Sequence, residues 1–453
     1  MEGDKIIFTK DSQSKPAEKT TKKYQKPITK IIFIGVLVLI LLIPMQMIKN
    51  LINERILTAD EASNEVFNSW SGPQTVTGPV LSLKLKYQTK DAEGKTQVDY
   101  RTYNILPNEL KINGNINTQE LKRGIYEIVV YNTPIDISGT FIYQEELKNI
   151  IGDSDNVSIE KSFIYMGISD LRGISEEVVL NFGEQKLDMN SGMPEYSIAN
   201  SGLSSLVDID DYLAGNAIAF STNLKLKGSK SIDFLPLGKS TSVELKSNCQ
   251  TPSFTGSFLP TNREVNTDGF TCDWKVVQVN RNYPQVIVGN VYNREINDSK
   301  FGVNVLIPLQ HYQKAMRTVK YAILIILLTF VVSFFVEMIQ QKDIHPVQYL
   351  LIGLALCLFY ALLVSISEHT SFTTAYIIAA LMTDGLITCY LAAVLKIKKT
   401  AFAIGGLLLL LYAFIFVLLQ LESYALLAGT LGLFVILAVL MYFSQKIEWY
   451  RQS

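Results

Sequence analysis

Apolar residues are concentrated in one segment near the start of the chain and in a group of segments near its end. The first reads IIFIGVLVLILLIPMQMI, and the group occupies positions 321–443. A bilayer core about 30 Å thick needs roughly 20 apolar residues per helical span. The pattern therefore predicts six transmembrane helices, one N-terminal and five C-terminal, at Ile31–Ile48, Tyr321–Val336, Val347–Ile366, Thr373–Leu395, Ala401–Leu419 and Tyr424–Phe443.

The first apolar segment is expected to be an uncleaved anchor within a longer helix. Thirty mostly polar residues precede it, and no small-residue cleavage site follows it, unlike a signal peptide. Apolar residues keep a helical spacing from Ile48 to Phe67, and Gly and Pro are absent until Gly72. We therefore predict a helix that continues to about residue 70, with Pro44 as a kink or as the outer membrane boundary.

Between residues 71 and 317 the pattern changes to a period of two, which is typical of strands with one buried face. Short alternating segments are separated by turns rich in Gly, Asn, Asp and Pro, so we predict a large all-β, sandwich-like domain. A short helix is expected near Leu203–Leu213. The predicted strands lie around Val80–Leu85, Ile125–Tyr131, Ser158–Tyr165, Glu177–Phe182, Phe220–Leu226, Thr241–Lys246, Thr271–Val279 and Asn304–Ile307.

Lysine and arginine placement predicts the orientation of the chain. The basic tail 1–30, the loop Lys396–Lys399 and the tail 444–453 fall on one side of six spans and are predicted to be cytoplasmic. The residues before position 29 lack apolar periodicity and are expected to be disordered. The β domain is then extracytoplasmic, and residues 319–443 form a five-helix membrane bundle.

The usual catalytic and metal-binding motifs are absent from the sequence. It contains no HExxH, P-loop, GxSxG or Cys-x-x-Cys pattern, and its three histidines are far apart. The net charge of the chain is close to zero, at −1. We therefore predict that the protein is not an enzyme, binds no cofactor or metal, and does not bind nucleic acid. The lipid bilayer is a predicted partner.

Asp384 is the most unusual residue of the membrane segments, because it lies midway along the span Thr373–Leu395. A charge at the bilayer centre costs at least about 2.5–3.5 kcal/mol on insertion scales. One interpretation is a proton or ion relay. The simpler alternative is a carboxyl group that is protonated or hydrogen-bonded by Thr383, Thr388 or backbone carbonyls.

Two further polar groups allow both a functional and a structural interpretation. Glu368 and His369, at the predicted outer membrane surface, are either an acid–base pair acting on a lipid head group or an ordinary polar turn. Glu337 and His345-Pro346 are likewise interpreted as polar residues at helix ends. Tyr349 is interpreted as part of an aromatic belt at the membrane interface.

The segment Thr251–Trp274 is the most distinctive part of the predicted β domain, with two prolines, two glycines and three phenylalanines. It either packs structurally or binds a partner, and Arg263 and Glu264 are its candidate binding residues. Cys249 and Cys272 flank most of this segment. A disulfide between them is predicted, since an oxidising compartment permits one; two unpaired thiols are the alternative.

The same segment and the membrane spans resemble the CreD family of inner-membrane proteins, also described as cell-envelope integrity proteins. The resemblance covers nearly the whole chain after residue 30. Its most specific parts are Ser253-Phe254, Gly256, Phe258-Leu259-Pro260, Arg263-Glu264-Val265, Gly269-Phe270, Trp274, Lys320–Phe330, His345–Leu356 and Ser367–Phe372. Ser71–Gln74, Gly78-Pro79, Gly124–Tyr126, Arg172–Ile174 and Ile447–Tyr450 fit as well.

This resemblance implies a multi-pass protein of a bacterial inner membrane, with the β domain in the periplasm and a role in envelope integrity and stress tolerance. It implies no catalytic residues. We expect a non-enzymatic anchor that presents the β domain to an envelope protein, lipid or glycan. The alternatives are a transporter or channel that uses Asp384, and a lipid-active enzyme that uses Glu368 and His369.

Overall fold

The computed structural model describes residues 27–90, 96–152, 156–305, 310–340, 344–421 and 424–445. The chain divides into two compact units. One, the membrane unit, combines the chain up to Asn53 with the chain from His311 onward, and the other, the β unit, is Glu54–Gln310. The predicted tails 1–30 and 444–453 lie largely outside the described residues.

Ten α-helices and seventeen strands are assigned in the described parts of the chain. The helices are α1 Pro27–Trp70, α2 Glu145–Gly152, α3 Asp210–Leu213, α4 Asn293–Asp298, α5 Gln310–Lys320, α6 Ala322–Gln340, α7 Pro346–Ser367, α8 Phe372–Leu395, α9 Lys398–Gln420 and α10 Ala425–Ser444. The strands are β1 Gln74–Lys90, β2 Thr96–Ile105, β3 Glu109–Arg123, β4 Tyr126–Phe141, β5 Val157–Ile168, β6 Val179–Phe182, β7 Gln185–Asp188, β8 Asn190–Ser191, β9 Gly202–Leu206, β10 Ile218–Ser229, β11 Ser231–Phe234, β12 Ser240–Ser247, β13 Ser253–Gly256, β14 Asn262–Asn266, β15 Gly269–Val277, β16 Val286–Val288 and β17 Phe301–Asn304.

The membrane unit is built from apolar helices whose lengths match a bilayer. Among the described residues, α1, α6, α7, α8 and α9 are long and apolar enough to span a membrane. The sixth predicted span corresponds to α10, whose apolar part Leu426–Tyr442 is shorter, so its crossing stays a prediction. Small residues allow close helix contacts: a Cβ at Gly353 of α7 would clash with Leu41 of α1, and one at Gly405 of α9 with Thr388 of α8.

The β unit contains two sheets, as the alternating pattern predicted. The first has the order β13-β17-β11-β1-β5-β9-β8, with β2 and β16 continuing from β1, and the second has the order β14-β15-β12-β3-β4-β10-β6-β7. Most neighbours are antiparallel, while β1 with β11 and β3 with β12 are parallel. One hydrophobic cluster includes Leu83 and Ile164 of the first sheet and Ile112 and Val243 of the second. The membrane α + β fold class with a sandwich-like domain is therefore confirmed.

The helix α1 continues through Pro44 and ends at Trp70, as predicted. Its last turns pack against the β unit. Phe67 is 4% exposed, and the ammonium of Lys230 lies 4.7 Å from its ring. The Arg172 side chain donates to the Asn68 carbonyl, and Arg123 pairs with Glu65. The end of α1 is thus part of the β unit rather than a free linker.

Asp170 holds the turn where α1 passes into β1. Its carboxylate accepts from the Gly72 amide at 2.9 Å and from Arg172 Nη2 at 2.7 Å. The Arg172 guanidinium, followed by the Gly72 and Arg172 amides, lowers the pKa of Asp170 below its ordinary value. Gln74 completes the turn by donating to the Asp170 carbonyl.

One predicted helix is confirmed only in its last turn. The segment expected to be a helix near Leu203–Leu213 begins as the strand β9, in which Leu203 pairs with Met166 of β5. The helix α3 is limited to Asp210–Leu213. Pairing with a central strand overrides the local helical pattern, because it satisfies the backbone groups of Gly202–Leu206.

Candidate functional site

Glu337, in the last turn of α6, is the centre of a buried polar cluster in the membrane unit. It is 3% exposed. Its Oε1 accepts from Lys30 Nζ of α1 and from the Ile344 amide at 3.0 Å, and its Oε2 accepts from the Tyr349 hydroxyl of α7 at 2.9 Å. The Tyr349 ring packs edge-on against Phe330 at 5.6 Å. Both carboxylate oxygens are therefore bonded, and three helices meet at one charge.

This cluster gives the residues at the helix ends a different role from the predicted one. Tyr349 is 3% exposed, so it belongs to the bundle interior and not to an interfacial belt. Glu337 is likewise a buried ion-pair partner rather than a surface residue. By contrast, His345 and Pro346 do start α7 as predicted: the His345 Nδ1 accepts from the Val347 amide at 3.3 Å, and Pro346 is the first helical residue.

Asp384 lies halfway along α8, and its Oδ1 is buried without a hydrogen-bond partner among the described residues. The hydroxyls of Thr383 and Thr388, which the simpler interpretation assigned to it, also lack partners there. The hydrogen bonds from Thr383 and Thr388 to Asp384 that the sequence suggested are therefore not formed.

Glu368 and His369 lie at the C-terminal end of α7. Glu368 is half-buried, and its Oε1 accepts from the Tyr312 hydroxyl of α5 at 3.2 Å. His369 is exposed, and its amide donates to the Ile366 carbonyl at 3.0 Å. The contact with Tyr312 gives Glu368 a structural partner, while the proposed acid–base pairing stays a prediction.

Arg263 and Glu264 lie on β14, the outermost strand of the second sheet. All five residues of β14 are exposed, and this strand pairs with β15 and with no other strand in the described chain. Both residues border a recess of about 270 Å³ together with Glu244, Lys246 and Asp273. Charged residues of both signs line the recess, which suits a peptide or a polar ligand better than a lipid chain.

The aromatic residues of Thr251–Trp274 pack inward and confirm the structural interpretation for that part of the segment. The Trp274 ring is 1% exposed, lies 5.5 Å from Phe301, and its Nε1 donates to the Phe258 carbonyl at 3.1 Å. Phe254 packs edge-on against Trp274 at 5.9 Å. Leu259 and Val265, 66% and 50% exposed, are the apolar residues that this segment leaves at the surface.

The predicted disulfide is not formed: Cys249 and Cys272 are both free and buried. Strand register explains this. Cys272 of β15 is opposite Leu245 of β12, whereas Cys249 lies two residues beyond the end of β12 at Ser247, so the two cysteines are not a cross-strand pair. A disulfide requires Cα atoms within about 7 Å. Burial raises the pKa of the Cys272 thiol to about 12 and also raises that of Cys249, which lowers the fraction of the nucleophilic thiolate at both positions.

Arg281 is a buried cation that sequence reasoning did not identify. It is 7% exposed, and one of its amino groups donates to Gln285 and to the Gly238 carbonyl. Its guanidinium lies 4.5 Å from the Tyr283 ring, and burial lowers its pKa. Its Nε and Nη1 have no acceptor within the described part of the chain.

The structure therefore does not bring the predicted site residues together. Asp384, Glu368 and His369 belong to the membrane unit, whereas Arg263, Glu264, Cys249 and Cys272 belong to the β unit. No group of three or more His, Cys, Asp or Glu that could hold a metal occurs among the residues described. Glu337 and Tyr349 were missed because each has an ordinary explanation at a helix end, and the partner Lys30 is 307 positions away from Glu337.

Comparison with known proteins matches these observations to one family. The family model described as inner membrane protein CreD matches residues 26–450. The inner membrane protein CreD of Escherichia coli (strain K12) is 33% identical over 421 residues, which cover 92% of both chains. The match includes both the apolar spans and the β domain.

Proposed function

The chain belongs to the CreD family of inner membrane proteins, and we propose that it supports cell-envelope integrity as a non-enzymatic anchor. In this proposal the membrane helices hold the β domain in the periplasm, where it contacts an envelope protein, lipid or glycan. Both chain termini are cytoplasmic. The role in envelope integrity and stress tolerance follows from the resemblance described above.

One observation carries this proposal: the helix α1 belongs to both units. Its residues up to Asn53 are part of the membrane unit, and its residues from Glu54 are part of the β unit. The second connection runs from β17 towards α5 and the remaining spans. Both ends of the β unit thus lead into apolar helices, which is the expected arrangement for a domain that is anchored rather than released.

The edge of the second sheet supports a protein partner. An unpaired edge strand offers free backbone N–H and C=O groups to an added strand. In β14 these groups lie beside a recess with charged walls, and Val265 supplies exposed apolar area. We propose that an extended segment of an envelope protein binds along β14, with Arg263 and Glu264 pairing with its charged side chains.

Orientation is tested with a reporter fusion near residue 200. Alkaline phosphatase fused there is expected to be active, because the enzyme needs an oxidising compartment for its disulfides. A fluorescent reporter that requires the cytosol is expected to be inactive at the same position. The reverse result would place the β domain in the cytosol and remove the proposal.

The partner is tested by photo-crosslinking in cells. A photoreactive amino acid at Val265, which is 50% exposed on β14, is expected to capture a defined envelope protein. Val279 is the matched control, since it is 90% exposed but lies outside the strands. Reversing both charges through Arg263→Glu and Glu264→Arg should weaken the crosslink. Equal capture at both valines, or none at Val265, contradicts binding along β14.

A further inference from the structure

The helix α5 is fixed within the membrane unit along one face. Tyr312, Ala315 and Thr318 repeat every three positions along it and are 6%, 1% and 0% exposed. The Tyr312 hydroxyl also donates to Oε1 of Glu368, the residue that follows α7, at 3.2 Å. The helix α5 therefore lies beside the C-terminal end of α7, with its buried face turned towards the membrane unit.

The opposite face of α5 is basic. Lys314, Arg317 and Lys320 have the same three-residue spacing, and with 3.6 residues per turn they point about 160° away from the buried face. Arg317 and Lys320 are exposed, and Lys314 is half-buried. None of the three has an ion-pair partner within the described ranges. That part of the chain thus leaves three neighbouring positive charges without a counter-charge.

The basic face lies where a membrane span begins. Only Tyr321 separates α5 from α6, and the Leu324 amide donates to the Tyr321 carbonyl at 3.1 Å, so the helical path continues into the span. The helix α6 is long and apolar enough to cross a bilayer. Amphipathic helices with Lys and Arg on their polar face lie at the depth of the lipid head groups.

The charges of α5 also depart from the usual distribution of basic residues in membrane proteins. An excess of Lys and Arg normally marks cytoplasmic loops. The predicted topology puts α5 at the outer face together with residues 367–372 and 420–423, which contain no Lys or Arg. The α5 dipole accounts for at most two of the three charges, because only Arg317 and Lys320 lie in the last turn.

We propose that Lys314, Arg317 and Lys320 form a binding surface for the head groups of anionic phospholipids. Arg donates charge-assisted hydrogen bonds to phosphate oxygens, and Lys binds phosphate as a point charge. An anionic phospholipid also keeps a net negative charge, whereas the choline of a zwitterionic lipid cancels that of its phosphate. The buried face of α5 holds the three basic residues on one side, so the lipid meets a preformed surface.

This surface belongs to the membrane unit, and the proposed contact surface on β14 belongs to the β unit. Either proposal can therefore fail without the other.

Photo-crosslinking of the full chain in nanodiscs tests the surface. The nanodiscs contain phosphatidylcholine and a trace of phosphatidylglycerol with a photoreactive head group, and peptide mass spectrometry locates the crosslinks. We expect crosslinks on peptides from α5. Unlabelled phosphatidylglycerol in the nanodisc should suppress them, whereas additional phosphatidylcholine, or inorganic phosphate in the buffer, should not.

Three double variants test the role of charge. Arg317→Gln with Lys320→Gln should reduce the α5 crosslink roughly 25-fold, from about fivefold for each basic residue. Arg317→Lys with Lys320→Arg keeps both charges and should retain most of the crosslink. Lys111→Gln with Lys225→Gln is the matched control, because it removes the same net charge from exposed positions of the β unit and should leave the crosslink unchanged.

Four results would overturn the proposal. The first is the absence of crosslinks on α5, and the second is a full crosslink in the double Gln variant. The third is equal suppression by phosphatidylcholine and phosphatidylglycerol, which would make α5 an interfacial helix without charge selectivity. The fourth is suppression by inorganic phosphate, which would assign the basic face to a free phosphate ion. The wild-type competition does not depend on the folding of a variant.

Discussion

At the scale of the residue, Glu337 shows how one buried charge can organise several helices. Lys30 of α1, the Ile344 amide and Tyr349 of α7 all donate to it. A buried ion pair is not in itself strongly stabilising, but removing one partner leaves the other charge uncompensated, at a cost of about 3–5 kcal/mol. The Lys30 side chain is 13% exposed, which reduces this cost somewhat.

We therefore predict that Glu337→Gln lowers the free energy of unfolding of the membrane unit in detergent. The expected loss is slightly smaller than the about 3–5 kcal/mol of a fully buried pair. Lys30→Met together with Glu337→Gln should be less destabilising than the sum of the two single changes, because no lone charge remains. The exposed pair Lys122–Glu127 of the β unit is the control for a surface ion pair, and Lys122→Met should change the stability of that unit by less than about 1 kcal/mol. Strict additivity of the two changes would disprove the coupling.

Asp170 provides a pH-dependent contribution in the β unit. Because its pKa is lowered in the folded state, its stabilisation is complete above the ordinary carboxyl pKa of about 4 and is lost as the pH falls further. The Arg172 guanidinium is the largest cause of the shift, and because Arg172 is more than half exposed, solvent screening reduces its contribution to stability. The Gly72 and Arg172 amides add to the effect of the guanidinium.

Asp170→Asn should accordingly destabilise the β unit by about 1–3 kcal/mol at neutral pH. The difference from the wild type should shrink in acid, where both carry a neutral side chain. Denaturant unfolding followed by Trp274 fluorescence measures this. Asp188→Asn, at an exposed position, serves as the control. A difference that stays constant down to strongly acidic pH would show that the carboxylate charge is irrelevant.

At the scale of the element, the sequence predicted most helices and strands but not their partners. A bilayer imposes span length and a pleated strand imposes alternation, so both leave a local signal. The Lys30–Glu337 pair depends on helix packing, and the offset between Cys249 and Cys272 depends on strand register. Neither packing nor register leaves a local signal in the sequence. The β9 segment was misassigned for the same reason: its pairing with β5 is a tertiary effect. Whether the candidate residues Asp384, Glu368 and Arg263 act in function stays a prediction.

Helix packing gives the element-scale prediction. A side chain at Gly353 would clash with Leu41 and Phe330, whereas one at Gly406 would meet nothing within 4 Å. Gly353→Val should therefore separate α7 from α1 and α6 at a cost of about 1–3 kcal/mol, as for other overpacked sites. Gly406→Val should be neutral. The thermal aggregation temperature of the two variants in the same detergent measures this, and equal temperatures would contradict the packing.

At the scale of the whole molecule, the β unit has its own core, and it also includes the end of α1. The fragment Glu54–Gln310 should therefore fold in solution without the membrane helices and unfold cooperatively. A fragment that begins at Gln74 lacks Phe67, which is 4% exposed, and Ser71, which is fully buried. It also lacks the Gly72 amide that donates to Asp170.

We expect the shorter fragment to be less stable by at least the 3–5 kcal/mol that removing a buried Phe side chain typically costs. Urea unfolding followed by circular dichroism compares the two, and Leu57→Ala in the longer fragment is the control, since Leu57 is 63% exposed. If both fragments were equally stable, the last turns of α1 would be only a spacer. That result would contradict the proposal that α1 anchors the β domain as a shared helix. If the longer one alone folds, the β domain depends on the same helix that anchors it, so detachment from the membrane segment would also remove its native structure.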